Sequence, residues 1–239
     1  MNENLIRNYK IFISGEQIDL CIPDISAIDL DGWADWFNDI SENQNSNHGI
    51  FPNSYNNQVK FLESLNTKKE IVLLICTKAN REAVGVISLQ NIDMGSRRAF
   101  WSIMIGRKDK LILPGFVALE AVALLTEHGF TQVGLQRIHG AQPFPALKGW
   151  NKLLELIGYQ TDGIHRNDFR RGNTFSNTAH ISCLYDDYVS IIKNRKYFWP
   201  GIIEIKKLTR KQPSKSYADK LDKLILNLKK EHFSYIFKV

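Results

Sequence analysis

The runs Glu70-Ile-Val-Leu-Leu-Ile-Cys-Thr77, Ala83-Val-Gly-Val-Ile-Ser-Leu-Gln-Asn91 and Arg98-Ala-Phe-Trp-Ser-Ile-Met-Ile-Gly106 follow one another with only short turns between them. Each is rich in the β-branched and aromatic side chains that suit a pleated surface. The breaks, Asn80-Arg81 and Asp93-Met94-Gly95-Ser96, are turn formers. Strands joined this closely pair antiparallel, because a parallel return needs a long crossover. The spacing therefore predicts an antiparallel meander over 70–106 and places the sheet core there.

Downstream, Pro114 suits a first helical position, and Val117, Ala121, Leu124, Leu125 and His128 form one stripe ending at Gly129-Phe130, read as a helix stop. A short strand over Arg137–Gln142 follows. A second helix, Pro145–Ile157, turns Leu147, Trp150, Leu153, Leu154 and Ile157 inward and stops at Gly158-Tyr159. Strands around His165–Arg170 and Ala179–Leu184 precede a helix from Asp186 to about Lys193.

Upstream, Tyr9–Ile22 alternates about Ser14-Gly15 and reads as a strand or hairpin. Helical patterns over Asp31–Ile40 (Trp33, Trp36 and Phe37 on one face) and Tyr55–Leu65 (Val59, Leu62, Leu65) flank the loop Asn47-His48-Gly49-Ile50-Phe51-Pro52. Beyond Trp199-Pro200-Gly201 a polar linker, Lys211–Ser216, leads to the stripe Tyr217, Leu221, Leu224, Ile225, Leu228. Phe233, Tyr235 and Phe237 then alternate as an edge strand. The order of elements is an α+β fold.

With 239 residues, 44% of them apolar and 23% charged, the chain can bury a full core. The longest apolar run, Ile71–Cys76, is far short of the ~20 residues of a membrane span. Met1-Asn2-Glu3-Asn4 opens no signal peptide, and the expected location is the cytoplasm. Cys21, Cys76 and Cys183 are scattered among apolar residues with no CxxC pair, so neither disulfide nor metal is expected. The net charge of +6 is a tail property. Residues 193–239 hold thirteen Lys/Arg against four Asp/Glu, and the rest holds eighteen against twenty-one. No nucleic-acid motif accompanies it, so the tail reads as a solvated basic helix face.

The meander, the loop with Asn-His-Gly-Ile-Phe-Pro, Ala118-Leu-Glu-Ala121, His128-Gly-Phe130, and Leu156-Ile-Gly-Tyr159 with Gly163 and Arg166 together resemble the GNAT N-acetyltransferase family. The branch they resemble includes ribosomal-protein N-terminal acetyltransferases and nucleotide-amino-sugar acetyltransferases. The resemblance implies a GNAT domain over 1–192, with a mixed, mostly antiparallel sheet splayed at the CoA site, and a basic C-terminal extension over 193–239. It implies acetyl-CoA as acyl donor, its pantetheine arm along Ile103-Met104-Ile105. The pyrophosphate would meet the helix start at Gly115, Phe116, Val117 and Ala118, with charge from Lys108 or Lys110 and with Trp150 and Asn151 facing CoA. The sequence departs from the family where Leu113 and Phe116 replace phosphate-loop residues. It also departs where Leu154 and Trp150 occupy the position of the family's acid, and where Phe100 stands for a frequent Glu.

An amine attacking a thioester needs a base that titrates near neutrality. His48, on the loop expected over the acceptor, and His139, on the strand beside the splay, are the candidates. Glu120 is third. Either His equally suits a structural role. His128 reads as a helix C-terminal cation and His165 and His180 as cleft liners; Trp33, Trp36 and Phe51 suit an aromatic wall, though Trp33 and Trp36 at i, i+3 more often are core, and Arg166, Arg170 and Arg171 suit a diphosphate clamp or, equally, a solvated strand rim. The partner is expected to be a small-molecule amine, foremost a nucleotide-linked amino sugar. A protein N-terminus, a non-catalytic binder, and a monomer or homodimer all stay open.

Overall fold

A computed structural model describes residues 8–65 and 68–237; the amino-terminal residues read above for a signal peptide lie outside them. Eight strands form one sheet: β1 (Ile11–Ser14), β2 (Ile18–Cys21), β3 (Ile71–Thr77), β4 (Ala83–Asp93), β5 (Arg98–Ile105), β6 (Arg137–Phe144), β7 (Gln160–Arg171) and β8 (Thr174–Leu184), in the order β1-β2-β3-β4-β5-β6-β8-β7. Every pairing is antiparallel except β5 with β6. The meander expected over 70–106 is β3-β4-β5.

The pleat sends alternate residues of β3 into two different cores. Leu73 and Ile75 join Ile18, Leu20, Ile87 and Leu89 under helix α4 (Pro114–His128). Val72, Leu74 and Cys76 join Trp33 and Trp36 under the helices of the other face: α1 (Ser26–Leu30), α2 (Trp33–Asn38) and α3 (Tyr55–Ser64). A strand covered on both faces reads as a continuous apolar run, as β3 does. α4 contributes Leu119, Ala121, Val122 and Leu125, all essentially inaccessible, and each large side chain so buried is worth about 1.5–3 kcal/mol. All three cysteines are free and buried.

The fold corrects several local expectations. Gly129 does not stop α4. It is right-handed (φ −58°), the helix continues through a π turn over Gly129–Val133, and Gly134 (φ 80°) ends it. Gly129 is small for another reason, since a β-carbon there would lie 2.7 Å from Ile138 Cδ1. His128 is consequently not a terminal cation; its ring packs edge-on to Phe12 and burial lowers its pKa. β6 runs on to Phe144 opposite Asn177, so helix α5 begins at Lys148 rather than Pro145 and spans Lys148–Glu155. Gly158 (φ 87°) does end that segment.

After α6 (Tyr185–Arg195) the tail holds two helices where one was expected, α7 (Ile202–Lys211) and α8 (Tyr217–His232). Phe198 and Ile205 are buried in the α4 core. Phe233–Phe237 is not a strand: Ile236 and Phe237 N–H both bond back to the Phe233 carbonyl, and among the described residues the segment pairs with no strand of the sheet.

Candidate functional site

The site begins where two strands part. β5 and β6 are in register only at Arg98/Arg137, Ala99/Ile138 and Phe100/His139. Beyond Phe100, β5 stays paired to β4 as far as Ile105, and beyond His139, β6 stays paired to β8 as far as Phe144. Their facing backbone edges are left without a ladder. A wedge holds them apart: Trp101 lies across Gly140, where a β-carbon would come within 2.7 Å of the indole nitrogen, and Trp150 of α5 meets Trp101 edge-on.

Three adjoining cavities surround this opening. The first, about 230 Å³, lies on the α2–α3 side of the sheet among Trp33, Phe37, Gln58, Ser88, Gln90 and Met104. The second, about 340 Å³, follows Ile103-Met104-Ile105 to Lys108 and to Pro114, Gly115 and Ala118 at the start of α4. The third, about 490 Å³, occupies the splay between Phe100–Ile103 and Ala141–Pro143 and reaches Asp168. Ser102 and His48 line all three. The cavities on the two sides of the sheet meet at those two residues.

The segment after α2 is built to hold His48 there. Asn43 is buried and its amide donates to the carbonyls of Trp36 and Asp39, each at 2.7 Å. Ser46 bonds Asn43, and Arg171, reaching over from β7, donates to the carbonyls of Ser46 (3.0 Å) and His48 (2.7 Å). The His48 ring stands edge-on to Phe37, 4.7 Å between centroids. The residue is exposed along one edge, but crowding on the other desolvates the ring and lowers its pKa. The neutral imidazole is favoured. Lys108 closes the lower end of the segment through an ion pair to Glu42.

Of the residues expected at the donor site, Ile103, Met104, Ile105, Gly115 and Ala118 meet in the second cavity. Lys110, Phe116, Val117 and Asn151 are not among its lining. Lys110 is exposed in a 3-10 turn, and Lys108 takes its place. Val117 is core, and the N–H groups of Phe116 and Val117 already bond the Leu113 carbonyl, at 3.0 and 3.2 Å. Asn151 is buried next to the lining residue Trp150, and among the described residues neither atom of its side-chain amide has a hydrogen-bond partner.

His139 faces the ring of Phe100 edge-on at 5.5 Å, and burial followed by the nearby Arg137 and Arg98 charges lowers its pKa. It lines none of the three cavities. Glu120 points the other way. Fully inaccessible, it receives the N–H groups of Glu16 and Gln17 in the β1–β2 turn and the Gln17 amide (3.1 Å), so it is a structural carboxylate and not a base. Arg171 is engaged with the His48 segment and Arg170 with the Gly172 carbonyl, and none of Arg166, Arg170 and Arg171 lines the three cavities. Trp33 lines the first cavity and Trp36 the second, their indole N–H groups without a partner among the described residues, while Phe51 is solvent-exposed. Sequence patterns did not single out Ser102, Gln58, Ser88 or Gln90, which come together only when β4, β5 and α3 stack.

No protein-family profile and no curated protein matches the sequence. Solved structures do match. A chimera of Vibrio cholerae spermidine N-acetyltransferase SpeG and hSSAT superposes with a TM-score of 0.63 at 14% identity, over 73% of this chain and 99% of that one. Mycobacterium smegmatis RimJ, in complex with CoA-disulfide, gives 0.61 at 13% identity over 74% and 88%. The microcin C7 self-immunity acetyltransferase MccE, in complex with acetyl-CoA and AMP, gives 0.58 at 19% identity over 71% and 93%. The chain has the GNAT fold. With that fold, the parting of β5 from β6 is the feature around which the three cavities are arranged, and the tail helices α7 and α8 follow its last strand pair.

Proposed function

We propose that this protein is an acyl-CoA-dependent N-acetyltransferase. The observation that carries the reading is the unladdered edge of β5 from Trp101 to Ile105, running in one continuous cavity into the start of α4. An extended pantetheine arm carries amide donors and acceptors spaced like a peptide's, and it can complete such an edge as an added strand. The Gly115 N–H, the α4 dipole and Lys108 then suit the pyrophosphate.

Acetyl-CoA is the acyl donor. On this chain's side, a backbone N–H of β5 near Met104 stabilises the negative charge that develops on the thioester oxygen. Neutral His48 accepts the proton that the attacking amine loses, and it sits where the first and second cavities join. The amine nitrogen forms the new bond to the acyl carbon, the carbon–sulfur bond breaks, and the leaving thiolate is protonated from solvent, since Leu154 and Trp150 offer no acid. His48 serves as the base in preference to His139, which lies outside the cavities.

The acceptor is the amino group of a nucleotide-linked amino sugar. Asn53, Gln58, Gln90, Ser88 and Ser102 line the first cavity beside Trp33, Phe37 and Phe61, and no carboxylate does. Amides and hydroxyls with flat aromatic faces suit sugar hydroxyls and ring C–H groups. A polycation would require acidic partners that this lining lacks. Thiol release from acetyl-CoA should be seen with amino-sugar nucleotides and not with spermidine or N-terminal peptides. His48→Gln should cut kcat/KM by roughly 10²–10⁴-fold, the usual worth of a positioned base. Absence of thiol release across the panel, together with no acetyl-CoA-induced rise in melting temperature, would overturn the reading.

A further inference from the structure

The β7–β8 hairpin carries a second constellation that the transfer reaction does not use. His165 and His180 project from neighbouring strands on the same face, their rings stacked with centroids 3.7 Å apart. Asp168 reaches both, its Oδ2 lying 3.3 Å from His180 Nε2 and 4.0 Å from His165 Nδ1. One ligand atom from each of the three falls within 4.8 Å of the others.

This convergence is built into the strand. His165 pairs with Thr178 and Phe169 with Ser176, so Arg166, Asn167 and Asp168 together stand opposite the single residue Asn177. Such a bulge re-aims side chains. Its bend is made by Asn167 in the left-handed region (φ 52°), its N–H held by the Asn177 side chain at 3.1 Å. Strict alternation from His165 would send Asp168 to the opposite face, and the added residues return it to the histidines.

We propose that His165, Asp168 and His180 form a binding site for a divalent transition metal of the zinc class. Two imidazoles and a carboxylate are the borderline and hard donors such ions take, and three protein ligands leave coordination positions open. Bond lengths of about 2.0–2.2 Å require the three ligand atoms to draw together by roughly 1 Å, a movement within reach of partly exposed side chains. Asp168 also lines the third cavity, so an open position there would accept an oxygen atom from a molecule held in the splay. A plain Asp–His surface hydrogen bond explains the His180 contact. It leaves unexplained the second imidazole stacked onto the first and the bulge that brings the carboxylate between them.

The site stands independently of the proposed acetyl transfer. Zn(II) alone, titrated into the full chain against a chromophoric chelator, should bind at one equivalent per chain. Loss of an outer partner of a metal ligand commonly costs 10–100-fold in affinity, so His165→Ala, Asp168→Ala and His180→Ala should each weaken binding by roughly tenfold or more. His232→Ala, at the exposed carboxy-terminal end of α8, should not. Cu(II) in the same site should give a spin-resonance spectrum with hyperfine structure from two imidazole nitrogens, reduced to one in His165→Ala. Circular dichroism of each variant separates lost ligation from lost folding. No saturable Zn(II) binding by the wild-type chain, or binding unchanged in His165→Ala and His180→Ala, would sink the proposal.

Discussion

His48 is a loop residue whose chemistry depends on what holds the loop. Its pKa is lowered from the ordinary 6.5 by desolvation, so the neutral, proton-accepting form prevails above that lowered value. For a base the sign is definite: kcat/KM should be flat around neutrality and fall as pH drops through a value below about 6.5. A profile whose acid limb survives unaltered in His48→Gln would assign the limb to another group. Arg171→Ala removes two hydrogen bonds to the loop without removing a proton-accepting group, so it should raise KM while the limb stays where it is. Ile103–Ile105, Gly115 and Ala118 were named from the family resemblance and His48 from its place on a loop, and these residues line adjoining cavities. Ser102, Gln58 and the strap from Arg171 were not legible in sequence, since they become neighbours only through pairings that join residues far apart in the chain.

Elements repeat that division between local and distant causes. β3 to β5 were readable because their apolar runs end at turn formers, and α4 because Pro114 opens a clear stripe. The π turn was not, because a glycine chosen for close contact with Ile138 looks in sequence like a glycine chosen for a left-handed stop. The alternation Phe233, Tyr235, Phe237 misled for the complementary reason: alternation describes a strand only where a neighbouring strand supplies hydrogen bonds. Glu120 is the sharpest case. Its place early in α4 suggested a dipole-stabilised carboxylate, whereas it fastens the β1–β2 turn to the helix. Glu120→Ala leaves the Glu16 and Gln17 N–H groups without their acceptor and should cost roughly 1–3 kcal/mol of stability. Chemical denaturation would register this loss while the pH profile of transfer stays unchanged, which a catalytic Glu120 would not permit.

At the scale of the whole molecule, the charge of residues 193–239 and the change of pattern after Trp199 suggested an appendage to the fold. Their packing is uneven along the segment. Phe198 and Ile205 belong to the α4 core with 1% and 0% of their surface exposed, Arg195 donates to the Leu156 and Phe198 carbonyls, and Glu16 accepts from Trp199 Nε1 and the Ile202 N–H. α8 packs against β7 and α5 but buries few side chains. Ala218 is its one fully buried residue, the Tyr217 N–H bonds Glu155, and Leu224, Leu226 and Leu228 are about half exposed. Two truncations should therefore behave differently. A chain ending at Lys196 loses Phe198, whose removal alone is worth roughly 3–5 kcal/mol, along with Ile205. Set against a typical total stability of about 5–15 kcal/mol, that loss should leave little folded protein. A chain ending at Lys215 keeps both residues and should unfold cooperatively at a modestly lower temperature, with its far-ultraviolet spectrum reduced by about the helical content of α8. If the chain ending at Lys196 melts as sharply and as high as the chain ending at Lys215, α7 is a passenger on the fold and the buried contacts of Phe198 and Ile205 contribute nothing to holding it together.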